Sequence, residues 1–367
     1  MDKPFSYKFY RTTQAAWDAM YQEILVAQKS IYWEIYIFID DEAGNRFIDA
    51  LCDRARVGVD VKIIIDAFGS WGLSRPAETR LIEAGVEVLK YNRIHPEFAF
   101  GKWWRRLWRR NHRKLLIIDE AIAFVGGVNV ESKALEWDDL FLKLTGPVIR
   151  PLLTSFAKTY RRAGGSKSRV RHLLRSRLPA ELKTLPEKIK FIAHSPLDNR
   201  LPAVRKLYLR SIAMAKESIN VLTPYFVPDL QLLRLITKAK RRGVKINLFL
   251  PARTDHLFME LIARAYYGLI HRTGANVYFL PKMNHGKAIM IDDKTGFVGS
   301  ANVTPRSWYI NDEAGVYFDD EKMADELKGF FEDWKAGATP LDLEKWKKRG
   351  WRAKLKEWWV KRIENYV

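Results

Sequence analysis

Two histidines, two lysines and two asparagines recur in this chain at matched spacing. The first set reads His112-Arg-Lys114 followed by Asp119, and the second His285-Gly-Lys287 followed by Asp292, both H-x-K-x4-D. An asparagine precedes each histidine (Asn111, Asn284), and another follows 17 residues after it, in Gly126-Gly127-Val128-Asn129 and Gly299-Ser300-Ala301-Asn302. A carboxylate comes next, Asp139 at 27 residues from its histidine and Glu313 at 28. Paired imidazoles suit a phosphodiester: one attacks phosphorus, and the other protonates the leaving oxygen and later deprotonates the acceptor. Lys114 and Lys287 would stabilise charge on the phosphoryl oxygens, with Asn129 and Asn302 as further donors. Asp139 and Glu313 would each hold a histidine in one tautomer. The lysines take the electrostatic role a metal would have, so neither metal nor cofactor is called for. A lone His-x-Lys is worth little. Two copies with matching asparagines and carboxylates imply half-sites facing across one active site.

The elements that must position these groups are also duplicated. Apolar runs from Ser30 to Phe38 and from Ser218 to Phe226 read as strands. Each leads through a polar turn to a helix of 3.6 periodicity, Arg46 to Arg56 and Leu230 to Arg242, closed by Gly58 and Gly243. β-Branched strands follow from Val59 and Val244. A second helix in each half ends near Gly85 or Gly274, and a third strand comes next. The runs Lys114–Ile118 and Lys287–Ile291 read as strands in which His and Lys project to one side, with a hairpin beyond. Asp119 and Asp292, at the strand ends, read as structural. The pattern predicts two α/β domains, each with a mixed central sheet flanked by helices, packed pseudo-two-fold around one site. Expected bounds are 1–165 and 186–340, with a basic linker at 166–185 and a Trp-rich amphipathic helix at 341–367.

A chain of 367 residues accommodates two such domains, and its net charge of +20 points to a polyanionic partner, nucleic acid or an anionic membrane. Cys52 is the only cysteine, which excludes an intrachain disulfide framework. No signal-peptide core opens the chain, and no apolar run approaches the ~18 residues of a membrane span. Any membrane contact is therefore expected to be peripheral. Trp103, Trp104 and Trp108, interleaved with basic residues including Arg105, would put rings at a lipid headgroup boundary just before His112. The tail from Trp351 to Tyr366 either docks on the protein or lies in that boundary. His95, His172, His194 and His271 read as surface or satisfied residues, and His256 as a candidate for the pocket wall.

The paired H-x-K-x4-D signatures resemble the phospholipase D superfamily over most of the chain. Tyr36-Ile37-Phe38 with Asp40, Asp41 and Gly44, and Thr223-Pro-Tyr225-Phe-Val-Pro-Asp229, are most similar to its cardiolipin synthase branch. So are Trp137-Asp138-Asp139 with Gly146-Pro147, and Arg306-Ser307 through Glu313. Asp138 departs from the branch by replacing a base. The chain resembles the shorter form without a membrane-spanning N-terminal hairpin. The resemblance implies phosphatidyl transfer through a covalent phosphohistidine, from a phosphatidylglycerol-like donor to a second lipid, making cardiolipin. His112 is the expected nucleophile and His285 the general acid/base, with Tyr36 and Tyr225 at the substrate. It implies an anionic phospholipid partner, no obligatory nucleic acid, and a peripheral place on the cytoplasmic side. Rival expectations are a phospholipase D hydrolase, a nuclease of the same superfamily, and a lipid-binding protein with a decayed site.

Overall fold

The computed structural model describes residues 4–92, 109–175, 188–198 and 202–351. Trp103, Trp104, Arg105, Trp108 and His95 lie outside them, as does the tail beyond Trp351.

Two mixed sheets carry the fold. The first is built from β1 (Ser6–Thr12), β2 (Ser30–Ile35), β3 (Asp60–Asp66), β4 (Glu87–Tyr91), β5 (Leu115–Ile118), β6 (Ile122–Gly126) and β7 (Asp138–Thr145), in the order β1-β7-β6-β5-β2-β3-β4. Strands β2, β3 and β4 are parallel, and the rest antiparallel. The second sheet repeats this arrangement with β8 (Ile189–His194), β9 (Ser218–Leu222), β10 (Lys245–Pro251), β11 (Asn276–Leu280), β12 (Ala288–Ile291), β13 (Thr295–Gly299) and β14 (Glu313–Phe318). A two-residue β15 (Thr339–Pro340) extends its edge beside β11.

Side-chain alternation on the central strands divides the interior into three cores. Leu115 and Ile117 on β5, with Ala288 and Met290 on β12, belong to a core shared by both sheets. Leu116 and Ile118 face an outer core over the first sheet, and Ile289 and Ile291 an outer core over the second. Strands buried on both faces read as continuous apolar runs, as these do. Helices α1 (Thr13–Leu25), α2 (Glu42–Arg56) and α3 (Arg75–Glu83) cover the first sheet. Between the sheets lie α4 (Ile149–Arg162) and, after α5 (Arg171–Arg175), α6 (Ala203–Met214), α7 (Leu230–Arg241), α8 (Leu257–Arg272) and α9 (Pro305–Tyr309), the helix α10 (Glu321–Gly337). Helices α6, α7 and α8 cover the second sheet.

Local chemistry explains the helix limits. Asp41 caps α2 by accepting from Gly44 N at 3.0 Å, and Asp229 caps α7 by accepting from Leu232 N at 2.7 Å. Gly58 and Gly243 follow these helices with φ of +89° and +92°, the left-handed stop expected at both positions. The stretch expected as a linker, 166–185, is helical over Ser168–Arg175, and its Val170 and Leu173 are buried in the shared core. The expected terminal helix begins as a docked segment. Leu341 N donates to Val277 O at 2.8 Å, and the Trp346 ring lies against Tyr267 of α8. Among the described residues, no helix is long and apolar enough to cross a membrane.

Candidate active site

Each H-x-K segment precedes its strand rather than opening it. β5 starts at Leu115 and β12 at Ala288, so the histidine and lysine lie in extended lead-ins. The lead-ins pair with the opposite half. His112 N donates to Asp312 O at 3.0 Å and Asp312 N to Arg110 O at 2.9 Å. In the mirror exchange, His285 N donates to Asp138 O at 2.7 Å and Asp138 N to Met283 O at 2.9 Å. These two short parallel bridges, Asn111 with Asp312 and Asn284 with Asp138, sew the domains together at the site.

The carboxylates consequently serve the histidine across the seam. His112 Nδ1 lies 3.1 Å from both oxygens of Glu313, and His285 Nδ1 lies 3.0 Å from Asp139 Oδ2. A carboxylate on Nδ1 selects the tautomer whose Nε2 is free for a substrate. Glu313 also accepts from Ser300 Oγ, which stands where the first half has Gly127. Gly127 admits no side chain: a Cβ there would fall 2.2 Å from Asp139 Oδ1 and 3.0 Å from His285 O. The small residues of both turns thus leave room for the carboxylate of their own half.

Lys114 Nζ donates to His112 O at 2.8 Å, and Lys287 Nζ donates in the same way to His285 O. The ring of Tyr36 packs on both the His112 imidazole and the Lys114 ammonium, each at 4.9 Å from its centre. Asn129 is fixed by Ile37 N, which donates to its Oδ1 at 3.3 Å, and by Trp17 Nε1, which donates to its carbonyl at 2.8 Å. Asn302 is fixed by Thr223 Oγ1 at 3.4 Å from its Oδ1 and by the Ser307 hydroxyl on its backbone N–H. Tyr225 donates its hydroxyl to Asp255, whose carboxylate is also 3.5 Å from exposed His256. Trp137 lies 5.8 Å from the His285 ring.

Burial sets the protonation states. Desolvation, aided by the Lys114 charge, outweighs Glu313 and lowers His112 to about 4. Desolvation and Lys287 lower His285 as well. Lys114 is pushed well down, first by burial and next by repulsion from Lys287, and burial lowers Lys287 to about 8. That repulsion brings the two half-sites into one electrostatic unit. Burial also lifts Tyr36 to about 12.

Asp119 and Asp292 have no part in this pocket. Each sits at φ near +50° (52° and 53°) and accepts from three successive backbone N–H groups, of residues 28–30 and 216–218 respectively. Asp138, the departure from the family pattern, is balanced by Lys282 at 3.1 Å. His194 is neither exposed nor satisfied, contrary to expectation. It is 5% exposed, pairs in register with Glu313, and neither ring nitrogen has a hydrogen-bond partner among the described residues. Glu34 and Arg113 were not singled out from sequence, yet both are buried directly behind the site. The only sequence sign was Arg113 itself, a charge between two site residues and next to an apolar strand.

The family described as cardiolipin synthase, PLD-like domain, matches residues 20–158 and 208–334. The chain belongs to this family. It is 29% identical over 360 residues to the minor cardiolipin synthase ClsB of Bacillus subtilis, covering 95% of this chain and 86% of that protein. It is 31% identical over 353 residues to a cardiolipin synthase of Clostridium perfringens, covering 93% and 72%. The fold is shared with a phosphatidylserine synthase of Haemophilus influenzae, at a TM-score of 0.71 and 13% identity over 98% of this chain and 93% of that one.

Proposed function

We propose that this member of the cardiolipin synthase family is a phosphatidyltransferase that makes cardiolipin from two phosphatidylglycerol-like lipids. The observation that carries the reading is the crossed pair of His–carboxylate contacts, with Lys114 and Lys287 beside them. His112 Nε2 attacks the donor phosphorus, and the bond from phosphorus to the glycerol oxygen breaks. His285, protonated on Nε2, gives its proton to that oxygen, and glycerol departs. The acceptor lipid's hydroxyl then surrenders its proton to His285 and attacks the phosphohistidine, releasing His112 and leaving cardiolipin. The low pKa of His112 keeps it neutral, as a nucleophile must be. A bound phosphodiester anion favours the proton on His285 by Coulomb attraction. Lys114, Lys287, Asn129 and Asn302 stabilise charge on the non-bridging oxygens. Tyr36, against the His112 ring, and Tyr225, held by Asp255, shape the headgroup pocket. Peripheral contact on the cytoplasmic face, through the tryptophan-rich segment with Trp103, Trp104, Arg105 and Trp108, brings the site to its lipid.

Incubating the pure protein with phosphatidylglycerol vesicles and resolving the lipids tests this. Cardiolipin is the expected product. Phosphatidic acid alone would assign a hydrolase, and cleavage of added DNA with unchanged lipid would assign a nuclease.

A further inference from the structure

Behind the catalytic floor lies a second concavity, a cavity of about 460 Å³ between α4 and β8. Arg113, Arg150, Lys158 and Arg162 line it, together with the hydroxyl residues Thr154 and Ser155. None of the paired histidines, lysines or asparagines does. Arg150, Thr154, Lys158 and Arg162 are four residues apart in succession, so α4 turns one stripe, basic at three of its four positions, into this space. Arg113 enters from the other side because alternation along His112-Arg113-Lys114 sends its side chain away from the catalytic pair. Its guanidinium donates to Ser155 Oγ, Thr159 Oγ1 and the His194 carbonyl at 3.2, 2.8 and 2.9 Å.

The charge of the cavity is not balanced from within. Among the described residues, Asp198 is the one carboxylate of its lining, and it already pairs with Arg162. Arg150 and Lys158 have no acidic partner among the described residues. Lys158 and Arg162, one helical turn apart, repel, and Asp198 offsets this only at Arg162. Nor is it a requirement of the fold: α10, which packs in the shared core from the second half, carries acids at Glu321, Asp325, Glu326, Glu332 and Asp333. Converging guanidinium and ammonium groups with adjacent hydroxyls match the geometry and charge of a phosphate group.

We propose that this cavity is a binding site for a phosphate-bearing anion, separate from the catalytic pocket. The ligand is either free phosphate or the phosphate of a lipid headgroup. The site does not depend on which reaction the histidines catalyse. The test is calorimetric titration of the full chain with inorganic phosphate, comparing wild type with Arg150→Glu/Lys158→Glu. Binding attributable to the cavity is expected to weaken at least ten-fold in the charge-reversed protein, while Arg150→Lys/Lys158→Arg retains it. Thermal unfolding of each variant verifies that it is folded. Identical phosphate binding in wild type and the charge-reversed variant would overturn the proposal. Repeating the titration with phosphatidylglycerol vesicles separates the sources: competition by vesicles identifies the headgroup, and undiminished phosphate binding identifies the free ion. Because binding is the readout, failure here leaves the cardiolipin reading intact, and absence of cardiolipin synthesis leaves the cavity untouched.

Discussion

The two halves carry the same three polar side chains, a histidine, a lysine and an asparagine, but back them with opposite materials. Behind His112 lies a buried ionic layer. Glu34 accepts from Asn111 Nδ2 at 3.2 Å and is 3.9 Å from Arg113, while Asp66 is 3.5 Å from Arg110. Asp312, 1% exposed, accepts from the Tyr91 hydroxyl. Strand register places Leu222, Pro251, Met283 and Gly286 at the corresponding positions of the second half. Asn284 Nδ2, lacking a Glu34 equivalent, has no hydrogen-bond partner among the described residues. Buried ion pairs rarely add stability over apolar packing, because desolvation offsets their attraction. The ionic layer is therefore poorly explained as a device for holding the fold. The two halves thus share their paired histidines, lysines and asparagines but differ in what is buried behind them.

The strongest way to break this comparison is to remove each imidazole in turn. His112→Ala and His285→Ala should each lower turnover by roughly 10⁴-fold to 10⁶-fold, since the groups act as a unit. The proposed roles predict that rapid quench with labelled lipid traps a phosphoenzyme in His285→Ala and none in His112→Ala. The opposite trapping pattern would reverse the assigned roles.

Crossing of the carboxylates gives the next largest effect. Glu313→Gln and Asp139→Asn should each slow turnover by about 10²-fold to 10⁴-fold, as loss of a tautomer-setting carboxylate does. Phosphoenzyme formation should be the step slowed by Glu313→Gln. Asp139→Asn should spare phosphoenzyme formation from donors with an acidic leaving group, which need no proton from His285 in that step. Equal rescue of both variants by such a donor would show that the carboxylates do not act on separate histidines.

A smaller effect concerns pH. Lys287 has a depressed pKa of about 8, so the free enzyme loses that cation as pH rises through this value. The pH profile of kcat/KM should accordingly fall on a basic limb near 8. On the acid side, the unfolded chain binds protons at histidine near the ordinary 6.5, whereas folded His112 resists until about 4. Stability from this group is fully present above 6.5 and is lost as pH falls towards 4. Urea titrations at pH 7 and pH 5 should show a smaller difference for His112→Asn than for wild type.

The mildest change tests the ionic layer itself. Burial raises Glu34 to about 7 despite Arg113 and Asn111, so its carboxyl is largely protonated just below neutrality. Glu34→Gln should then cost under about 1 kcal/mol at pH 6 in chemical denaturation, as a near-isosteric exchange of one hydrogen bond. A loss of ~3 kcal/mol or more would mean that a fully charged pair with Arg113 had been broken.

The duplicated motif, strand order and helix stops were legible because they are local: Asp41, Asp229, Gly58 and Gly243 act within a few residues of themselves. The pairing of Glu313 with His112 was hidden, because 201 residues separate them and nothing in spacing distinguishes a carboxylate that serves its own half from one that crosses. Glu34 was hidden for another reason. It sits in an apolar strand where alternation marks it as a face change, and only tertiary packing reveals that both faces are buried. His194 escaped in the same way, as an ordinary residue near a strand end. That Asp138, the departure from the branch pattern, has Lys282 beside it was hidden too, because 144 residues separate the two.

The reciprocal lead-in bridges make closure of the molecule and competence of its chemistry the same event. If the seam between Asn111 and Asp312 parts, His112 loses Glu313 in the same motion, and the twin bridge does the same to His285. Heat or chaotrope should extinguish turnover before either sheet melts. A polypeptide cut between the halves should regain activity only when both pieces are mixed.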